Sequence, residues 1–213
     1  SYISSTLKNF LKEDDRLFTT NVRYKETNSK DVVRLVSSKE FDLGIVRCQV
    51  LYEPFFLKMI QDEHLDSKVL WQFSPKVLMS PSHPLAGKEP LDHLDFSQSV
   101  ELLQGDIQYP SFTPENTDCV LPDSDPRHTI YIYDRGSQYE FLRHLPGAYM
   151  WTSPVPYSTL TEAKLIQREC TRPDNVFKDL LVCRSNYRLS KAETELTQWP
   201  VSLTHLRAHE TRH

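Results

Sequence analysis

The sequence predicts an α/β fold assembled from strand–helix–strand units, and three observations predict it. Leu43-Gly44-Ile45-Val46 is a short apolar run bracketed by charge, the pattern of a strand buried on both faces, as in a parallel sheet covered by helices. Ahead of it, Val32, Leu35 and Val36 recur at helical spacing, and residues 18–26 alternate like a strand. The second half repeats the same order: a strand over 129–133, a helix carrying Tyr139, Phe141, Leu142 and Leu145, and a strand over 148–151. In open parallel sheets, ligands bind beyond the carboxyl ends of the strands, so the polar residues at those ends are the first candidates for a site.

Taken in order, Ile3, Leu7, Phe10 and Leu11 place an amphipathic helix over 2–13, ended by Asp14-Asp15. In the strand over 18–26, Val22 and Tyr24 alternate with Arg23 and Lys25. Asn28 or Ser29 is a suitable N-cap for a helix over 30–39, and Asp31 suits the positive end of its first turn. The buried strand spans 42–47. Tyr52, Phe55, Phe56, Met59 and Ile60 form a helical stripe or an aromatic-rich loop, followed by short strands over 69–73 and 77–79. A short helix over 91–96 and a strand over 100–103 come next. Residues 105–128 are dense in Pro, Asp and Ser and show little periodicity. Asp134-Arg135-Gly136-Ser137 opens the later helix, and Pro146-Gly147 ends it. The last elements are a buried strand over 177–183 and a helix over 189–206 interrupted at Pro200, before a polar tail.

Composition narrows the function. The 213 residues suffice for one large domain or two small ones. A formal charge of −4 argues against nucleic-acid binding by this segment itself, since phosphate binding needs a basic patch. Cys48, Cys119, Cys170 and Cys183 have no metal spacing and read as reduced thiols in a cytoplasmic protein, the lesser alternative being one or two disulfides in an exported one. There is no signal-peptide pattern and no apolar run of about 18 residues, so no membrane span is expected. A Gly-x-Ser-x-Gly elbow and a His-Glu-x-x-His pair are both missing, and no catalytic residues are assigned. His205, His209 and His213 recur every four residues, which suits either a metal on a helix face or a solvated tail. No metal and no cofactor are expected.

The order of motifs resembles the effector-binding domain of LysR-type transcriptional regulators. Glu26-Thr27-Asn28-Ser29 closes a strand and opens a helix, and Phe41-Asp42-Leu43-Gly44-Ile45-Val46 follows as the next strand. Then come Val77-Leu78-Met79, His83-Pro84-Leu85-Ala86 and the Leu91-Asp92-His93-Leu94 helix, with the stretch from Tyr131 to Pro154 in family order. The resemblance implies a two-lobed fold of the type 2 periplasmic-binding-protein kind, with Rossmann-like lobes joined by two crossover strands. The first lobe would be residues 1–97 and 178–213, and the second 98–177. A small effector would bind in the cleft between lobes. A further strand ahead of residue 1 would be expected, and an N-terminal winged helix-turn-helix outside this chain would bind DNA. The domain would form a homodimer and the full-length protein a homotetramer. The alternatives on the same fold are a transporter's solute-binding protein and an enzyme with a two-lobed architecture.

Three helix starts would face the effector: Ser1-Tyr2 with Ser4, Thr27-Asn28-Ser29, and Asp134-Arg135-Gly136-Ser137. Their hydroxyls and free backbone N–H groups suit a small carboxylate or an amino-acid-like compound, and the same residue types also serve as ordinary N-caps. Arg135 could pair with a carboxylate or lie in solvent as a surface charge. Arg47, just past the buried strand, would stand at the edge of the cleft beside Cys48. His83 reads as part of the His-Pro-Leu-Ala turn.

Overall fold

The computed structural model describes residues 2–12, 21–106, 128–134, 136–171, 176–191, 193–195 and 197. In chain order the elements are α1 (Tyr2–Lys12), α2 (Ser29–Ser37), β1 (Leu43–Gln49), α3 (Glu53–Asp62), β2 (Leu65–Phe73) and β3 (Lys76–Met79). A 3-10 turn (His93–Gln98) leads to β4 (Val100–Gln104), and β5 (His128–Ile132), α4 (Gln138–His144) and β6 (Ala148–Thr152) follow. The remainder is α5 (Tyr157–Ala163), β7 (Ile166–Arg168) and β8 (Phe177–Arg184). The fold is mixed α/β, and the chain divides into two compact units. One comprises Ser1–Ser74, Ser153–Pro156 and Asn175–His213, the other Pro75–Thr152 and Tyr157–Asp174.

The first unit is built on a three-stranded sheet in the order β1-β8-β2, antiparallel throughout. One face of it packs on two helices. Val33 and Val36 of α2, Phe56 and Ile60 of α3, Val46 and Cys48 of β1, and Leu180 and Val182 of β8 share one core. Two expectations are corrected here. The run Leu43–Val46 is not a parallel strand buried on both faces. It belongs to β1, which pairs antiparallel with β8 and, among the described residues, stands at the edge of the sheet; of the seven residues of β1 only Val46 and Cys48 are buried. Its partner returns from the far end of the sequence, which local periodicity does not register. Gly44 contributes to the apolar run for a different reason: a Cβ there would lie 2.4 Å from Val32 Cγ1, so the glycine lets α2 lie close on the strand. The expected strand over 18–26 is also absent from the part described. Residues 21–28 join no ladder, and Val22 and Tyr24 are 43% and 46% exposed. Side chains tie this segment down instead: Arg23 donates to the Glu40 carbonyl and lies over the Phe41 ring. Alternation favours a strand, but a strand needs a backbone partner to form.

The second unit holds a five-stranded sheet in the order β5-β4-β6-β3-β7. β4 runs parallel to β5 and β6, whereas β3 is antiparallel to β6 and β7. Leu78, Leu102, Ile132 and Met150 form a core with Leu142 of α4, while Val77, Met79, Phe96 and Tyr149 form a second. Because Val77–Met79 pairs with both β6 and β7, residues 75–97 belong to this unit rather than to the first. The boundary therefore falls at Ser74, ahead of the expected division after residue 97. Gly147 adopts φ +79° between α4 and β6, the left-handed turn that glycine permits. The short α5 and β7 have no counterpart in the sequence reading. The late helix is seen at 191, 193–195 and 197; residues 198–206 lie outside those described, as does most of 105–128.

Candidate functional site

At the carboxyl end of β1, the first unit brings Thr27, Asn28, Ser29 and Arg47 together. Asn28 is the N-cap of α2, with extended backbone (φ −73°, ψ 161°) and its Oδ1 accepting from the Asp31 N–H at 2.9 Å. Its Nδ2 donates to Asp31 Oδ2 at 2.9 Å, and the Thr27 hydroxyl reaches the same oxygen at 3.4 Å. Burial pushes the Asp31 carboxyl up, but hydrogen bonds from Arg34, Asn28 and Thr27 outweigh it and hold it below the usual carboxylate range. Capping therefore falls to Asn28, which leaves Ser29 for another task. Its Oγ donates to the Arg47 carbonyl at 2.7 Å and accepts from the Arg47 N–H at 3.1 Å. This two-way contact fastens the first residue of α2 to the end of β1.

The Arg47 side chain crosses to the neighbouring strand. Its Nε and Nη2 each donate to a different oxygen of Asp179 at 2.7 Å, the bidentate geometry of a strong ion pair. Asp179 is 0% exposed and Arg47 32%. The guanidinium also lies 4.9 Å from the Phe73 ring centroid, and Phe73 stacks on Phe177 at 5.9 Å. Asp179 had not been singled out from the sequence, although an acidic residue within the apolar run of residues 177–183 was a readable sign. Cys48 packs in the core with α2 and α3. Burial, with the charges of Glu53 and Asp179 in support, pushes its thiol up to about 11, so it is a packed group rather than a reactive thiolate. Burial raises the Cys183 thiol as well.

In the second unit Asp134 and Ser137 meet at the start of α4. Asp134 accepts from the Gly136 N–H at 3.1 Å, the Ser137 N–H at 3.2 Å and the Ser137 hydroxyl at 2.5 Å. The Ser137 hydrogen bond is the main reason its carboxyl is lowered. Asp134, not Ser137, thus supplies the capping oxygen. Arg135 and Ser1 lie outside the described residues, as does the Tyr2 side chain. Ser4 is half-buried in the first turn of α1. His83 serves its turn: its N–H donates to the Ser80 carbonyl, its carbonyl accepts from Ala86, and its Nδ1 accepts from the Leu85 N–H at 3.0 Å. His205, His209 and His213 are outside the described residues. Among the described residues no group of three or more His, Cys, Asp or Glu could hold a metal, and no helix is long and apolar enough to cross a membrane.

A model of the LysR substrate binding domain matches residues 14–106. No curated protein matches the sequence. Solved structures match over nearly the whole chain. The effector binding domain of QuiR in complex with shikimate is 15% identical, with 97% of this chain and 91% of that one covered and a TM-score of 0.56. The reduced form of the OxyR2 regulatory domain from Vibrio vulnificus is 17% identical, with 94% and 89% covered and a TM-score of 0.61. The regulatory domain of MetR, a LysR family regulator from N. meningitidis, is 14% identical, with 96% and 88% covered and a TM-score of 0.54. At such identities the likeness is one of fold.

Proposed function

We propose that this chain, which carries a LysR substrate binding domain and has the fold of LysR-type regulatory domains, senses a small-molecule effector and relays its presence to transcription. The observation that carries this reading is the junction of β1 and α2. There the start of α2 stands at the end of β1, held in place by Ser29 on Arg47, and a helix start offers backbone N–H groups to a ligand. Thr27, Asn28, Ser29 and Arg47 form the effector-binding group of the first unit. Asp134, Arg135 and Ser137 form that of the second, and Ser1, Tyr2 and Ser4 belong to the start of α1. The two units act as the two regulatory lobes. The effector is a small carboxylate or amino-acid-like compound, a class supported by shikimate, a hydroxylated carboxylate, in the QuiR domain.

The domain has no catalytic task. An effector that favours one arrangement of the lobes shifts the population toward it, by no more than its differential affinity for the two states. The domain pairs as a homodimer within a cytoplasmic homotetramer that contacts DNA through a separate N-terminal domain. A thermal-shift screen of the 213-residue chain against small hydroxy acids, amino acids and aromatic acids tests this. A ligand present at 100 times its dissociation constant stabilises the native state by about 2.7 kcal/mol. A hit whose amide shifts fall on residues 27–29 and 47 supports the reading. A hit whose shifts leave those residues untouched overturns the assigned site.

A further inference from the structure

The strand order of the second sheet reverses between β4 and β6. In the order β5-β4-β6-β3-β7, the chain leaves β4 for β5 on one side and leaves β6 for β7 on the other. β5 and β6 both run parallel to β4, so the three carboxyl ends lie together. In such sheets the crevice beyond those ends, at the point of reversal, is where ligands bind. The apolar core runs out there. Leu102, Ile132 and Met150 pack with Leu142 of α4. One step on along the same face of the sheet, Gln104 follows Leu102 and Thr152 follows Met150. Thr152 is taken up by Gln167, whose Nε2 donates to its Oγ1 at 2.7 Å. Gln138 precedes Leu142 by one turn on the same face of α4, and helical side chains lean toward the helix N-terminus, here toward the strand ends. It is 4% exposed, yet its Nε2 makes no hydrogen bond among the described residues. A buried donor without a partner is costly, and a leucine would fill the position without that cost.

We propose that Gln138 is an effector-contacting residue of the second unit, its side-chain amide held for a hydroxyl or carboxamide group of the effector. A carboxamide sets a donor beside an acceptor, and a hydroxyl or a second carboxamide meets both. A carboxylate only accepts, so it would pair with Nε2 and face Oε1 with like charge. The proposal rests on the reading that the chain senses a small-molecule effector. It specifies which part of that molecule the second unit takes.

Ethylene glycol, acetamide and sodium acetate serve as probes, presenting a hydroxyl, a carboxamide and a carboxylate. The full chain is titrated with each at constant ionic strength. The side-chain amide resonances of Gln138, assigned through bonds from its backbone, report contact. They should shift saturably with ethylene glycol or acetamide and not with acetate. No saturable shift with either neutral probe overturns the proposal, as does a larger shift with acetate. So does magnetisation transfer to that amide from a long-lived water that neither neutral probe displaces, since a structural water then matches it. Gln138→Leu gives a second reading without any probe. The unliganded variant should unfold at a higher urea concentration than the native chain, because it no longer buries an unmatched donor. An unchanged or lower midpoint means that the native amide is already satisfied, and overturns the proposal. The sensing role is judged separately. An effector found by thermal shift that leaves Gln138 unmoved keeps that role and overturns this assignment, whereas a screen without an effector leaves the probe result standing.

Discussion

Two side chains near the strand ends do structural work that can be measured one residue at a time. Ser29→Ala removes a hydroxyl that both donates to and accepts from the Arg47 backbone, leaving an N–H and a carbonyl at a sheet edge without their partner. Leaving such groups unsatisfied costs about 1–3 kcal/mol, and partial exposure puts this case near the lower end. Urea unfolding should show that loss with no effector present, which separates the structural share of Ser29 from any share in binding. His83 offers a pH test. It is 3% exposed, its Nδ1 accepts from Leu85, and its Nε2 has no hydrogen-bond partner of normal geometry among the described residues. Burial lowers its pKa, with the Gly147 carbonyl opposing. In the unfolded chain a histidine titrates near about 6.5. Below that pH the unfolded state binds more protons than the folded one, so this contribution is complete above about pH 6.5 and is lost as pH falls toward the lowered folded value. His83→Gln should lose less stability than the native chain between about pH 7.5 and 5. Parallel curves for the two proteins would remove His83 from the acid response.

At the level of elements, α2 and β1 show how much the residues announce. The start of α2 was legible because capping is local: Asn28 and Asp31 lie within one turn and use short side chains that bond nearby backbone. β1 was placed to within two residues but read as a parallel strand buried on both faces, whereas it pairs antiparallel with β8. Its apolar run does not encode the direction of a neighbour some 130 residues away. The same limit explains why Asp179 was passed over, since its meaning depends on Arg47 arriving on the adjacent strand. Gly44 looked like one more small residue in a buried strand, yet it sets the distance between β1 and α2. Gly44→Ala would bring a Cβ to 2.4 Å from Val32 Cγ1 and 3.0 Å from Val36 Cγ2. Overpacking of this kind costs about 1–3 kcal/mol. Adding Val32→Ala should recover part of the loss, and a chemical-denaturation cycle over the four proteins measures the coupling. Purely additive effects would mean that helix and strand do not meet as the structure has them.

On the scale of the whole chain, the two units differ in how their strands depend on distant sequence. All five strands of the second sheet lie between Lys76 and Arg168, and each pairs with a neighbour in that span. The first sheet is not self-sufficient in the same way. β1 and β2 each pair with β8, which stands between them in the strand order, and β8 begins at Phe177. Without β8, both strands lose their ladder, Arg47 loses Asp179, and the core under α2 and α3 loses Leu180 and Val182. A fragment of residues 75–174 should therefore keep the dispersed amide spectrum and strand signal of the second unit. A fragment ending at residue 74 should lack a folded sheet, and a synthetic peptide spanning Phe177–Arg184 supplied in excess should restore dispersion at residues 43–49 and 65–73. A peptide with Asp179→Asn should restore it less well, because it brings the ladder without the buried charge partner of Arg47. If the fragment ending at residue 74 folds without the peptide, β8 is not what holds the first sheet together.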